Sequence, residues 1–158
     1  MTEQERMAIE HACSRLVVEF YVRNDDFDNA AIINQFTDDA VWDHIAAGRL
    51  SGKKAITDYL NSKNTSAVIT HGATNILIDV IDKDHAKGKC YWTFYAGAPG
   101  VPAPVELKGV MAVGAYDDEF VRTDKGWKFK YRRTSIRFEA KHRSDYVIFK
   151  KDVAAPKT

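Results

Sequence analysis

The sequence has few cysteines and no long apolar run, and these absences exclude several classes of protein. Cys13 and Cys90 are its two cysteines and form no CxxC pair, so zinc or thioredoxin-like chemistry and a disulfide framework are not expected. No apolar run approaches the roughly 20 residues that span a bilayer. The charged N-terminus has no apolar segment behind it that could serve as a signal peptide. We therefore expect a cytoplasmic protein with no membrane partner.

The charges of the chain almost cancel. There are 23 Lys and Arg residues against 22 Asp and Glu residues, so the formal net charge is +1. This balance gives no electrostatic reason to expect nucleic acid as a partner. A hydrophobic fraction of 45% and a charged fraction of 28% are typical of a globular protein. From the length of 158 residues we expect one domain over residues 1–150 and a disordered tail over 151–158.

The first helix has a clear start and stop in the sequence. Thr2 followed by Glu5 is a capping-box pattern, which begins a helix. Apolar residues then recur at helical spacing, and the helix should run to about Arg23. The polar triplet Asn-Asp-Asp over residues 24–26 should end it.

Residues 28–62 are predicted to contain two more helices and one strand. Asp28 is the predicted N-cap of the second helix, and Ser51 is the predicted N-cap of the third. The predicted elements are a helix over 29–36, a turn over 37–39, a strand over 40–45, a hairpin-like connection over 48–52 and a helix over 53–62.

Residues 68–80 are predicted to form a long strand, because they are rich in β-branched residues. Strict alternation would place Ile69, His71, Ala73, Asn75 and Leu77 on one face. Three of these five are apolar, so the face should be buried and would hold two polar side chains. A buried imidazole needs a hydrogen-bond partner. From the strand alone, His71 fits a structural role as well as a functional one.

From residue 67 onward the chain is rich in long β-segments, predicted over 68–80, 86–96, 105–122 and 127–141. Short turns over 82–84 and 123–126 should join neighbouring strands as hairpins. Two glycines and three of the four prolines lie in 97–104, which we expect to be an irregular loop. Helices followed by a meander indicate an α+β fold, with the helices covering one side of an antiparallel sheet.

Helices packed in the concave side of a curved sheet leave an apolar cavity, which is the default ligand site. Alternation in the last strand places three aromatic residues and then Arg133 on one face, so Arg133 should reach the cavity mouth, although a surface position is the alternative. In the strand over 86–96, either the face of Tyr91 or the face of Trp92 points inward. The sequence leaves both open.

Other candidate site residues have structural alternatives. Tyr21 fits a ligand site, but it also fits a helix end with its hydroxyl in water. Asp25 and Asp26 are candidates for a functional carboxylate and are also ordinary helix-stop residues. Trp42 fits the core as well as a ligand platform. His44, on the strand over 40–45, can face the cavity or the solvent.

Several short motifs occur in an order and spacing that resemble a known family. They are the aspartate-containing end of the first helix, FTDDAVW over 36–42, Gly52, HGATN over 71–75 and GWKF over 126–129. Over roughly residues 5–140 the chain resembles the SnoaL-like branch of the NTF2-like superfamily. The resemblance implies a cone-shaped α+β barrel, with three helices in the concavity of a strongly bent, mixed, mainly antiparallel sheet. The fold also serves binding proteins, so it does not by itself establish catalysis.

Within this branch, the chain resembles lyases such as hexachlorocyclohexane dehydrochlorinase, bile-acid dehydratase and scytalone dehydratase. The similarity implies an Asp25–His71 dyad in which His71 is the general base and acts on a small hydrophobic cyclic substrate. Tyr21 or Arg133 would assist the leaving group. No metal and no organic cofactor are required. The remaining residues expected to bind substrate are Trp42, His44, Asn75 and Trp92.

The chain departs from scytalone dehydratase at two places. Val22 and Arg23 stand where that enzyme has a tyrosine and an aspartate, and no histidine occurs over 96–99, where its second catalytic histidine would lie. That particular dehydration is therefore not expected. His44 stands at the place of another of its tyrosines.

Two alternatives to a lyase or isomerase remain open. One is a non-catalytic protein that binds a small molecule in the same pocket. The other is an accessory subunit that resembles the β subunits of ring-hydroxylating dioxygenases. In each case we expect homo-oligomers, either dimers or trimers, because the outer face of a long sheet needs cover.

Overall fold

A computed structural model of the protein describes residues 1–141, which form three helices and six strands. The elements are α1 (Glu3–Asp25), α2 (Asn29–Asn34), β1 (Phe36–His44), β2 (Gly48–Ser51), α3 (Lys53–Asn61), β3 (Ile69–Val80), β4 (His85–Ala96), β5 (Ala112–Thr123) and β6 (Gly126–Glu139). The predicted tail over 151–158 and the end of the predicted domain lie outside the described residues. Within the described part of the chain, no helix is both long and apolar enough to cross a membrane.

The N-cap residues predicted from the sequence are observed at two of the three helices. Thr2 and Glu5 form the predicted capping box at the start of α1, and the Asp28 carboxylate accepts from the Ala31 backbone N–H at the start of α2. The prediction of Ser51 as the cap of α3 is wrong. Gly52 caps that helix with φ +82° and without a side-chain hydrogen bond, because Ser51 is still part of β2.

The six strands form one mixed sheet in the order β2-β1-β6-β5-β4-β3. β1 and β6 are parallel, and the other neighbouring pairs are antiparallel. α1 packs against β3, β4 and β6. The predicted α+β fold, with helices packed against a curved, mainly antiparallel sheet, is confirmed. Three details differ: residues 37–39 belong to β1, residues 48–51 form β2, and residues 105–111 precede β5.

A bulge in β3 breaks the predicted alternation. The register with β4 shifts between Thr74 and Leu77, and Asn75 has φ +53°. Beyond the bulge the buried positions are Ile78 and Val80, whereas Leu77 is 59% exposed. The prediction that alternate residues from Ile69 to Leu77 share one buried face is therefore wrong after Ala73, and Asn75 is exposed.

A second bulge, in β6, determines which arginine enters the core. The register with β5 shifts between Glu119 and Phe120, so that Lys130 is an extra residue in β6. As a result Arg132 is fully buried, and Arg133 points outward, where it pairs with Asp117 at 2.8 Å. The predicted position of Arg133 at the cavity mouth is wrong for this reason.

Gly114 in β5 allows close packing against Ser135 and Trp92, and we expect its replacement to destabilise the fold. A Cβ at this position would lie 2.0 Å from the Ser135 carbonyl oxygen and 2.3 Å from the Trp92 ring. Gly114→Ala should therefore lower the free energy of unfolding by about 3 kcal/mol, as measured by urea denaturation. Gly72→Ala is the matched control, since its Cβ would meet the Thr93 hydroxyl, at 2.8 Å, and a side-chain rotation can relieve this contact. Equal losses in the two variants would contradict the expectation.

Candidate functional site

A cavity lies between the helices and the concave face of the sheet. Its walls are mainly aromatic and include Phe20, Trp42, Trp92 and Phe94. The polar side chains on its wall include Asn24, His44, Tyr59, Lys63, His71 and Thr134. The cavity volume is about 80 Å³, which is small beside ligand pockets of roughly 300–1,000 Å³. A ligand that fits here must be small and mainly apolar.

Asp25 and His71 meet at one end of this cavity. Asp25 is the last residue of α1, and His71 lies near the start of β3, against which α1 packs. The Asp25 carboxylate accepts two hydrogen bonds from His71, one from ring Nδ1 at 2.5 Å and one from the backbone N–H at 2.7 Å. The neighbouring Asp26 is exposed. The structure thus brings together the two residues that the family resemblance paired, and it selects Asp25 over Asp26.

The hydrogen bonds define the tautomer of His71. An ionised carboxylate can only accept, so Nδ1 must carry the proton that it donates to Asp25. In the neutral ring, Nε2 then carries a lone pair. Both side chains are mostly buried, with 16% of His71 and 17% of Asp25 exposed. His71 lines the cavity, and the ring also packs against Phe94, with the ring centroids 4.7 Å apart.

Lys63 is a cavity residue that the sequence did not reveal. It follows α3, is 7% exposed, and donates from Nζ to Asn24 Oδ1 at 2.5 Å. Burial lowers the pKa of Lys63 to about 8, and the negative charge of Asp25 partly opposes this shift. A single lysine in a polar segment between two elements has the same local sequence pattern whether it is buried or exposed. Its burial depends on contacts with residues distant in the chain, such as Asn24 of α1.

His44 faces the cavity, which answers a question that the sequence left open. Its Nδ1 accepts from the backbone N–H groups of Ala46 at 3.1 Å and Ala47 at 3.2 Å. The neutral ring therefore carries its proton on Nε2, which lies 3.0 Å from the Tyr59 hydroxyl. With both ring nitrogens engaged, His44 holds the β1–β2 turn and Tyr59 in place at the cavity wall.

The two tryptophans of the predicted site both line the cavity. Trp42 is 2% exposed, and its Nε1 donates to Thr134 Oγ1 at 2.9 Å. Trp92 is 4% exposed, so the Trp92 face of β4 points inward and the Tyr91 face points outward. They shape the apolar part of the site.

Three side chains expected at the site lie away from the cavity wall. Tyr21 is buried behind His71, with ring centroids 5.7 Å apart, and its hydroxyl lies 3.9 Å from Cys90 Sγ. Burial raises the pKa of Tyr21 well above its usual value. Asn75 and Arg133 are exposed because of the two bulges. These positions place none of the three beside a molecule in the cavity.

No group of three or more His, Cys, Asp or Glu residues in the range 1–141 is arranged to hold a metal ion.

Three helices packed against a six-stranded mixed sheet, with a cavity between them, define the NTF2-like class of cone-shaped α+β proteins. The profile of the SnoaL-like domain matches residues 5–133, and the chain belongs to this family. A search of curated proteins found no significant match.

Several solved structures have the same fold. A candidate scytalone dehydratase from Novosphingobium aromaticivorans is 17% identical, with TM-score 0.74 over 98% of this chain and 97% of that chain. A type 2 hexachlorocyclohexane dehydrochlorinase is 18% identical, with TM-score 0.72 over 88% and 92%. A candidate aromatic ring hydroxylase from Novosphingobium aromaticivorans is 22% identical, with TM-score 0.69 over 84% and 91%. At these identities the likeness shows the fold alone.

Proposed function

We propose that the protein is a cofactor-independent lyase of the dehydratase or dehydrohalogenase type, acting on a small hydrophobic cyclic molecule. The observation that carries the proposal is the 2.5 Å contact between Asp25 Oδ1 and His71 Nδ1 at the cavity wall. Membership of the SnoaL-like family supports it, as do fold relatives named dehydratase and dehydrochlorinase.

His71 acts as the general base in this proposal. Because Nδ1 donates to Asp25, Nε2 is the ring nitrogen available to a molecule in the cavity. Nε2 takes a proton from the carbon next to the one that bears the hydroxyl or halide. The C–H electron pair becomes the new C=C bond, and the leaving group departs with the electrons of its own bond. Hydroxide becomes water when the proton taken up by His71 returns to it, directly or through solvent, whereas a halide leaves as such and His71 then releases its proton to solvent.

Asp25 has two roles in this step. It accepts from ring Nδ1 and from the backbone N–H of His71, and so fixes the ring and leaves Nε2 without the proton. Its negative charge also favours the imidazolium that forms when Nε2 takes up a proton. A base positioned in this way typically contributes about 10²- to 10⁴-fold to a rate.

A screen of small cyclic alcohols and halides tests the proposal. We expect the wild-type protein to eliminate water or halide from at least one of them, detected as an alkene by gas chromatography and mass spectrometry. Binding of many compounds without turnover of any would contradict the proposal and would favour a non-catalytic pocket protein. The positions of Tyr21 and Arg133 away from the cavity make this the second candidate, because neither is placed to assist a leaving group.

Co-purification tests the accessory-subunit alternative. A stable complex with a larger partner would favour a role like that of a dioxygenase β subunit over both an enzyme and a stand-alone binding protein. We expect the protein to purify without such a partner, since the proposed catalytic groups all come from its own chain.

A further inference from the structure

Lys63 places a positive charge in a cavity whose walls are otherwise mainly aromatic. It is 7% exposed and lines the same cavity as His71. The ion pairs formed within residues 1–141 do not include Lys63, and its hydrogen-bond acceptor there is the neutral amide oxygen of Asn24, at 2.5 Å. A buried ammonium that contacts no carboxylate is costly to keep charged.

The contacts of Lys63 leave it able to bind a ligand. An ammonium has three N–H donors, and one of them goes to Asn24. The Tyr59 ring is also near, with its centroid 5.8 Å from Nζ. This distance is compatible with a weak cation–π contact, which supplies no oxygen acceptor. An oxygen of a molecule in the cavity can therefore supply the missing acceptor.

We propose that Lys63 binds a negatively charged oxygen of the ligand, so that the site takes a small cyclic acid. The inference rests on the proposed use of the cavity as a substrate site, and it adds the chemical class of that substrate. A carboxylate on Nζ would replace the water lost on burial with a charge-assisted hydrogen bond. It would also hold the ligand in the cavity that His71 lines, since Lys63 and His71 are both on its wall.

The protonation state of Lys63 is consistent with anion binding. Its pKa is lowered to about 8, so at neutral pH the group is mostly the ammonium ion. Above pH 8 it becomes a neutral amine, whereas a carboxylate ligand stays ionised. Affinity for an acid should therefore be nearly constant between about pH 6 and pH 7, where the ligand is ionised and Lys63 is mostly charged, and fall roughly tenfold per pH unit above pH 8. Titratable groups from the other elements around the cavity are Asp25 of α1, His44 of β1, Tyr59 of α3, His71 of β3 and Tyr116 of β5.

Binding of simple acids and their amides tests the inference without any need for turnover. Benzoate and cyclohexanecarboxylate would be compared with benzamide and cyclohexanecarboxamide, which have nearly the same shape without the charge. Isothermal titration calorimetry at pH 7 should show each acid bound about 10- to 100-fold more tightly than its amide, the range expected for a hydrogen bond to a charged group. An acid that binds no better than its amide, including no binding of either, would overturn the inference.

Two variants test whether Lys63 causes the preference for the acid over the amide. Lys63→Met should remove the preference for the acid and the loss of affinity above pH 8, while binding of the amides stays the same. The matched control is Lys54→Met, which removes one exposed lysine from α3 that pairs with Asp58 at 2.7 Å. An equal loss in both variants would show a general charge effect and would contradict a role for Lys63. Circular dichroism melting of each variant establishes that it is folded.

A third variant separates this inference from the proposed reaction. His71→Gln should keep the preference for acids over amides, because binding at Lys63 does not need the base. If the preference persists and depends on Lys63, but no compound in the elimination screen is turned over, the lyase proposal fails and the acid site stands. If elimination occurs and acids show no preference, the acid site fails and the lyase proposal stands.

Discussion

Replacing His71 with glutamine should lower turnover of an accepted substrate by about 10²- to 10⁴-fold, the usual contribution of a positioned base. Glutamine is polar and of similar length, so its amide N–H can still donate to Asp25, the partner of His71 in α1. Its amide group has no basic lone pair near neutral pH, so it cannot take a proton from carbon. Initial rates at saturating substrate, with product measured by gas chromatography, give the comparison.

His85→Gln is the matched control for this result. His85 also pairs with an aspartate, Asp82, at 2.9 Å, but this pair lies on the surface at the β3–β4 hairpin. We expect the control to keep wild-type turnover. If His71→Gln turned over substrate as fast as His85→Gln, His71 would not be the base.

Asp118→Asn should lower the free energy of unfolding by about 3–5 kcal/mol, the usual cost of breaking a buried ion pair. Asp118 and Arg132 face each other across β5 and β6 and are 3% and 0% exposed. Two hydrogen bonds of 2.7 and 2.8 Å join the carboxylate to the guanidinium, whose carbon lies 4.0 Å from the centroid of the Phe129 ring. An amide in place of the carboxylate would leave that guanidinium charged and buried without a counter-ion.

The next residue along the strand is the control for this prediction. Asp117 points to the outer face, where it pairs with Arg133 at 2.8 Å and Lys89 at 3.1 Å. Asp117→Asn should cost about 1 kcal/mol or less, because exposed ion pairs contribute little. Thermal melting should separate the two variants by several degrees, since about 1 kcal/mol corresponds to roughly 2–4 °C at this chain length. Equal melting temperatures would contradict the stabilising role of the Asp118–Arg132 pair.

Local patterns in the sequence predicted the elements well where one short stretch determines the structure. The capping box at Thr2 and the aspartate cap at Asp28 act within three residues, and both form as expected. The hairpin at Gly126, which has φ +98°, also forms. The Asp25–His71 contact was implied by the family resemblance, because periodicity in one strand says nothing about which helix end lies beside it.

The strand residues that the sequence assigned to the wrong face share one cause. Alternation in a strand holds only while the register is unbroken, and a single extra residue reverses the faces. The bulge at Lys130 buries Arg132 in place of Arg133, and the bulge at Asn75 exposes Leu77. Neither bulge has a glycine or proline that would mark it in the sequence. Lys63 was missed for another reason: its burial depends on contacts with residues distant in the chain and not on its neighbours in the sequence.

The most direct test of the central claim is the tautomer of His71 in the free protein, because it requires no substrate. Nitrogen-15 NMR of the histidine rings distinguishes a protonated ring nitrogen from one with a lone pair. At a pH where the ring is neutral, we predict a proton on Nδ1 and a lone pair on Nε2 of His71, and we predict that Asp25→Asn abolishes this preference. A proton on Nε2 in the wild-type protein would contradict the account, because His71 could then not accept a proton from a molecule in the cavity.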